Sequence, residues 1–486
     1  MNFVFFVPDE LRAESVGCYG HPLVRTPNMD RLANQGTRFD QCHVQHTVCS
    51  PSRCSYMTGW YPHVRGHRSL WHLLQPDEPN LLRYLKEAGY YIYWNGGHND
   101  VLAPECFADS VDEYHNSGGS PFGHNPFETD DPRARSFLYT PYEGDLNDHG
   151  DVAKVRAAID FLKSGPQQPF VIYLPLIYPH PPYCAPPQWH SMYTAENVPP
   201  LRPAESEGKP NFHQLIRETR RLGEVDQDFL RQINAVYLGM TSLMDDILGE
   251  FLDALEATGQ DANTAMFFFA DHGDYAGDYG LVEKWPSGLE DVLTRVPLLI
   301  RAPGMKAGHV VEEPVELFDI MPTVLELAGI EARHNHFARS LVPQLEGAPG
   351  DPQRVVFAEG GYNADERYCL EGSEALEATI HPDDTDHPMF TIYGPKNTLQ
   401  QVNPDTVCRS VMARTSTHKF IYRSNGQHEL YDLTTDPEEL HNISGTSEGA
   451  SVQQCMERTI LDWYLRTADV TPWHEDPRGL PPGGNR

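Results

Sequence analysis

Positive charge is scarce in this 486-residue chain: 37 Lys and Arg stand against 69 Asp and Glu, a formal net charge of −32. An acidic field of that size repels nucleic acid and anionic membrane surfaces, so an anionic ligand must be drawn in by a local cation or a metal. Long apolar runs are missing as well. No stretch approaches the roughly 18 to 20 apolar residues of a membrane span. The start, MNFVFFVPDELR, lacks a basic n-region, a long h-region and a small-residue cleavage site. These features predict a cytoplasmic protein without an export signal. The nine cysteines (18, 42, 49, 54, 106, 184, 369, 408 and 455) form no CxxC pair and lack disulfide-scaffold density. They are expected to be thiols in a reducing compartment, which leaves the sequon Asn442-Ile443-Ser444 unused.

What the chain does have is ample apolar material, 40% of residues with 10% aromatic, enough for one large domain and a smaller one. Short apolar runs alternate with helical patterns, which predicts an α/β fold with a largely parallel sheet. NFVFFV (2–7), YYIYW (90–94), FVIYL (170–174), AMFFFA (265–270) and VPLLI (296–300) read as strands. Apolar residues at three- or four-residue spacing place helices at 27–35, 80–88, 152–163, 231–258 and 320–328. Two irregular stretches, 99–148 and 178–212, form long polar loops of the kind that usually faces a substrate. The acidic run Glu128 to Asp131 within the first reads as solvated and without chemistry. Beyond 355 the pattern changes: 411–423 and 427–433 look like antiparallel strands and 451–467 like a closing helix. The expected organisation is a catalytic α/β domain over 1–355 and a C-terminal α+β subdomain over 356–486.

Acids and histidines fall just past the strands. Asp9 and Glu10 follow the first, His98 follows YYIYW, His180 follows FVIYLPL, and Asp271 and His272 follow AMFFFA. Ligands of an open parallel sheet bind beyond the carboxyl ends of its strands. One such acid is usually a helix cap, but four strands delivering to one edge point to a site. Asp9, Glu10 and Asp271 supply hard carboxylate oxygens and His272 an imidazole, a set suited to Ca²⁺, Mn²⁺ or Mg²⁺. Cys49-Ser50-Pro51-Ser52-Arg53 could be a buried thiol at a turn, or a thiolate nucleophile whose pKa Arg53 lowers. His67 and His72 could line an entrance or pack on a helix surface.

CSPSR followed by TGWYPH (58–63) resembles the type I sulfatase signature CxPSRxxxxTGxxPH, a family within the alkaline phosphatase superfamily whose signature cysteine is oxidised to formylglycine. The rest of the chain resembles that family in order. FFVPDELRAESVGCYG looks like its first strand and acidic pair, PHPPY (179–183) like its histidine loop, and ADHGDYAGDYGLVEKW (270–285) like its second metal pair and active-site lysine. Two departures stand out. The acidic pair is Asp9-Glu10 where the family commonly has Asp-Asp, and GYYIYWNGGHND replaces GYxTxxxGKxH. Without a gap, Gly97 takes the lysine position and Asn99 the histidine position; shifted by one, His98 replaces the lysine.

The resemblance implies an alkaline-phosphatase-like sandwich of helices around a large mixed, mostly parallel sheet, and one divalent ion held by Asp9, Glu10, Asp271, His272 and the formylglycine made from Cys49. It also implies a formylglycine-generating enzyme as maturation partner. The hydrated formylglycine would attack sulfur, with Asp271 taking its proton and Arg53 holding it. Lys284 or His180 would protonate the leaving alcohol, and His98 would act as the base that expels sulfate. His98, Asn99, His180 and Lys284 would contact the substrate, a sulfated saccharide or small molecule, with no nucleic acid or membrane partner. The alternatives are a phosphonate monoester or phosphodiester hydrolase using the same nucleophile, or a catalytically silent binder of sulfated glycans.

Overall fold

The computed structural model describes residues 1–96, 100–206, 208–363, 366 and 393–470. His98 and Asn99 lie outside the described residues, as do Gly97 and Cys369. The first strand, β1 (Asn2–Asp9), is buried throughout and occupies the middle of a large mixed sheet. The other strands of this sheet are β2 (Thr37–His43), β3 (Tyr91–Asn95), β4 (Glu113–His115), β5 (Phe170–Pro179), β6 (Thr264–Phe269), β7 (Arg295–Val296), β8 (Leu298–Arg301) and β9 (His309–Glu316). Their order is β4-β3-β5-β1-β6-β8-β2-β7, with β9 pairing β2. From β4 to β6 every pairing is parallel; β8 is antiparallel to both β6 and β2. Continuous apolar runs such as NFVFFV and TAMFFF suit strands covered on both faces.

The expected strand 296–300 is two strands, because Pro297 has no N–H for a ladder and separates β7 from β8. Strands β4 and β9 were not legible. β4 is three residues long, and the Glu312-Glu313-Pro314 segment of β9 breaks any alternation.

Helices cover the sheet. The longest, Gln227–Ala257, begins where the Asp226 carboxylate accepts the Phe229 N–H at 2.8 Å. It packs against the helix Gly150–Lys163 and against β5. A second, antiparallel sheet runs β10 (Val356–Gly360), β11 (Ser410–Arg414), β12 (His418–Arg423) and β13 (Glu429–Asp432), followed by the helix Ala450–Thr467. The expected strand 411–423 is a hairpin, turned at Thr415.

Asn442 is a bracket inside this second unit. Its amide donates to the Gly208 and His428 carbonyls at 2.8 and 3.0 Å and accepts from Leu430 and Ser444 N–H groups. The eight cysteines among the described residues are free thiols. No helix among the described residues is long and apolar enough to cross a membrane.

Candidate active site

Four parallel neighbours, β3, β5, β1 and β6, end at one edge of the sheet. That edge receives Asp9 from β1, His180 from the turn after β5, and Asp271 and His272 just beyond β6. A register slip between Val7 and Asp9 sets Asp9 opposite Pro179, beside His180. Glu10 then leaves the strand with φ of 68°, a left-handed conformation that a non-glycine residue adopts only when its surroundings impose it. Here the Tyr237 hydroxyl donates to the Glu10 carbonyl at 2.7 Å and accepts the Arg12 N–H at 3.1 Å. The Glu10 N–H donates to Asp271 Oδ1 at 3.1 Å.

Cys49 opens the helix Cys49–Thr58, every residue of which is buried. Pro51 in the first turn needs no N–H partner there. The Thr-Gly of the signature closes the helix: Thr58 Oγ1 donates to the Cys54 carbonyl at 2.7 Å, and Gly59, at φ 71°, is the left-handed cap. His63 at the end of the signature faces away from this chemistry. Its ring contacts Glu359 Oε1 at 2.8 Å and Thr467 Oγ1 at 2.9 Å, tying the signature to the C-terminal unit.

At the helix start the Cys49 sulfur lies 3.2 Å from His272 Nε2 and 3.5 Å from Asp9 Oδ1. Arg53, one turn on, bridges the two aspartates, with Nη2 2.7 Å from Asp9 Oδ2 and Nε 2.8 Å from Asp271 Oδ2. Ligand atoms of Asp9, Cys49, Asp271 and His272 all fall within 4.8 Å of one another. Glu10 belongs to a second group, with Asp9 and His180. Its Oε2 is 3.0 Å from Lys284 Nζ and 3.4 Å from His180 Nε2, and its buried Oε1 has no hydrogen-bond partner. Lys284 Nζ is also 2.7 Å from His180 Nε2. Thus eight of the expected residues meet at one place: Asp9, Glu10, Cys49, Arg53, His180, Asp271, His272 and Lys284. His67 and His72 instead engage each other and Glu78.

The two histidines present lone pairs inward. His272 Nδ1 faces the Gly273 carbonyl at 2.9 Å, which makes it the N–H nitrogen and leaves Nε2 bare towards Cys49. Burial lowers its pKa to about 4, so the ring is neutral. His180 Nδ1 faces the Pro181 carbonyl at 2.5 Å in the same way, and its Nε2 accepts from Lys284. Burial, and then the Asp271 charge, push the Asp9 carboxyl up to about 8, and burial raises Glu10 well above the carboxylate range. Burial also raises Asp271, but Arg53, His272 and the Glu10 N–H together outweigh it and Asp271 stays below its usual value. Both oxygens of Asp271 are occupied, Oδ1 by the Glu10 and His272 N–H groups and Oδ2 by Arg53. Asp9 Oδ1 is therefore the carboxylate oxygen in contact with the sulfur.

Several contributors were not legible in sequence. Tyr183, the last residue of PHPPY, donates to Asp274 Oδ1 at 2.7 Å and accepts the Glu283 N–H at 2.8 Å. Asp151 accepts the Ile177 and Tyr178 N–H groups and so fixes the strand end that delivers His180. Gly273 has a steric reason: a Cβ there would collide with the Val292 carbonyl oxygen. Gly273→Ala is expected to destabilise the protein by about 2 kcal/mol or more, read as a fall in urea midpoint without a change in slope.

The donor set fits a divalent cation. Three buried carboxylates and a bare imidazole nitrogen lie together in two overlapping groups, beside Arg53 and Lys284.

The sulfatase family model matches residues 1–330. The chain belongs to the sulfatase family. A multifunctional alkaline phosphatase superfamily protein, PehA of Trinickia caryophylli, is 28% identical over 98% of this chain and 96% of its own length. Iduronate 2-sulfatase of Mus musculus is 28% identical over 68% of this chain and 69% of its own. Among solved structures, the phosphonate monoester hydrolase of Agrobacterium radiobacter superposes with a TM-score of 0.73 at 21% identity, covering 96% of both chains. The chain is a sulfuric ester hydrolase with the fold of the alkaline phosphatase superfamily.

Proposed function

We propose that this sulfatase hydrolyses a sulfate monoester of a sugar or an aryl alcohol, with Cys49 as formylglycine and one divalent ion. The observation that carries the reading is the contact of Cys49 with Asp9 and His272 at a helix start, beside an arginine that bridges Asp9 and Asp271. Asp9, Glu10, Asp271 and His272 would hold the ion, Ca²⁺ or, by the same donor chemistry, Mn²⁺ or Mg²⁺. When bound it would neutralise and polarise the sulfuryl oxygens. Maturation of Cys49 calls for a formylglycine-generating enzyme.

The chain's own residues divide the remaining work. Cys49, oxidised and hydrated, carries the attacking oxygen. Asp9, by contact, and Asp271 are the acceptors at hand for its proton, while Arg53 fixes both carboxylates and the start of the helix. Lys284 donates to His180 Nε2 and contacts Glu10, and this pair would protonate the departing alcohol. His180→Ala is expected to lower kcat about 10²-fold on a poor leaving group and less on nitrophenolate, in steady-state assays.

Charge sets the substrate class. With an ion keeping all three carboxylates ionised, Asp9, Glu10 and Asp271 against Arg53 and Lys284 sum to one net negative charge. A divalent ion turns this to one positive charge, which a single monoanion neutralises. Sulfate monoesters fit that balance; dianionic phosphate monoesters overshoot it. Phosphonate monoesters and phosphodiesters are also monoanions, and the full-length similarity to PehA favours them as the second reading.

The test is turnover of matched 4-nitrophenyl sulfate, phenylphosphonate and phosphodiester by matured, metal-loaded enzyme. The highest kcat/KM is expected for the sulfate. A higher value for either phosphorus ester would replace the reading with the second one. No turnover of any ester, or of a sulfated saccharide panel, would leave a silent binder.

A further inference from the structure

Lys284 sits in a segment held from outside the span of the family model. Glu283, immediately before it, is fully buried and has φ of 64°, a second imposed left-handed residue beside the site. Its N–H is taken by the Tyr183 hydroxyl at 2.8 Å. One carboxylate oxygen, Oε2, receives Arg220. The other, Oε1, receives Lys396 Nζ at 2.8 Å. Lys396 comes from the helix Gly394–Val402, 113 residues further along the chain, and its side chain is fully buried. The same C-terminal unit grips the next residues. Trp285 Nε1 and Ser287 Oγ donate to the Thr406 carbonyl at 2.6 and 2.7 Å, Arg423 donates to the Ser287 carbonyl at 2.6 Å, and the Gly361 N–H donates to the Pro286 carbonyl.

We propose that Lys396 is a positioning residue for Lys284 and acts through Glu283. The inference rests on the reading of Lys284 as the group that protonates the leaving alcohol. Glu283 Oε1 is 4.0 Å from Lys284 Nζ, against 2.8 Å from Lys396. While Lys396 occupies that oxygen, Lys284 contacts Glu10 and His180. Without Lys396, a buried carboxylate oxygen lacks its donor and the nearest ammonium is Lys284. A small rotation would pair them and draw Nζ away from the leaving-group side. The C-terminal unit is thereby part of the apparatus that aims the acid.

The experiment compares phenyl sulfate, whose leaving group needs the proton, with 4-nitrophenyl sulfate, whose leaving group needs it less. It uses the matured, metal-loaded full chain carrying Lys396→Met, with Lys396→Arg as the conservative variant and Lys284→Ala in parallel. For Lys396→Met the kcat on phenyl sulfate is expected to fall about tenfold more than on 4-nitrophenyl sulfate. Metal content should be unchanged, the Lys396→Arg ratio close to wild type, and the Lys284→Ala bias larger in the same direction. If Lys396→Met does not fold, Lys396→Gln is read by the same ratio. Equal loss on both substrates alongside a biased Lys284→Ala would overturn the proposal, since a purely structural role moves both alike. An unbiased Lys284→Ala would overturn the role of Lys284 and the proposal with it.

Discussion

Cys49→Ala is expected to lower kcat/KM on an aryl sulfate by about 10⁴-fold or more while the protein stays folded. The side chain is buried at the first turn of its helix, and among the described residues its contacts are with Asp9 and His272. Alanine removes the attacking atom and leaves Arg53 with both aspartates. Cys49→Ser should behave differently. A serine hydroxyl can attack sulfur but has no second hydroxyl to expel sulfate, so one equivalent of phenolate should appear and the protein should gain the mass of a sulfuryl group. In the matured wild-type chain, the peptide containing residue 49 should be about 18 Da lighter than its cysteine form. A wild-type enzyme that turns over with an unmodified thiol would sink the formylglycine reading.

The second large effect concerns Asp9, which belongs to both ligand groups at the sheet edge. Asp9→Asn keeps the shape and removes one charge. Metal content by atomic emission is expected to fall from about one ion per chain to a small fraction, and kcat about 10³-fold, the scale of losing a metal that carries the sulfuryl charge. Chelation of the wild type should produce the same loss, and added Ca²⁺ or Mn²⁺ should restore the wild type but not the variant. Removal of the ion should also be felt in folding. Three buried carboxylates would then lose the ion's charge, so melting temperature should fall on chelation. Full activity after complete metal removal would contradict the role given to these acids.

The sheet edge was legible because buried parallel strands are short, continuous apolar runs, and the residue after such a run must lie at the edge. Asp9, His180 and Asp271 needed no more than that. Cys49, Arg53 and Lys284 came from the resemblance, since neither a helix start nor a lone lysine announces a site. The signature's His63 went the other way, to Glu359 and the terminal helix. What remained hidden were pairings between segments far apart in sequence. Tyr183 joins Asp274 to Glu283, and Lys396 reaches Glu283 from the C-terminal unit. Tyrosine and lysine at such positions carry no local pattern that separates them from an ordinary core tyrosine or surface lysine. The Glu10 carboxylate, expected among the ligands around Cys49, groups with Asp9 and His180 and contacts Lys284.

Anomalous diffraction from crystals of the matured protein grown with Mn²⁺ tests the central claim most directly. One strong peak is expected, bonded to carboxylate oxygens of Asp9 and Asp271, within reach of Glu10 and of the formylglycine at position 49. A peak elsewhere, or none in catalytically active crystals, would contradict it.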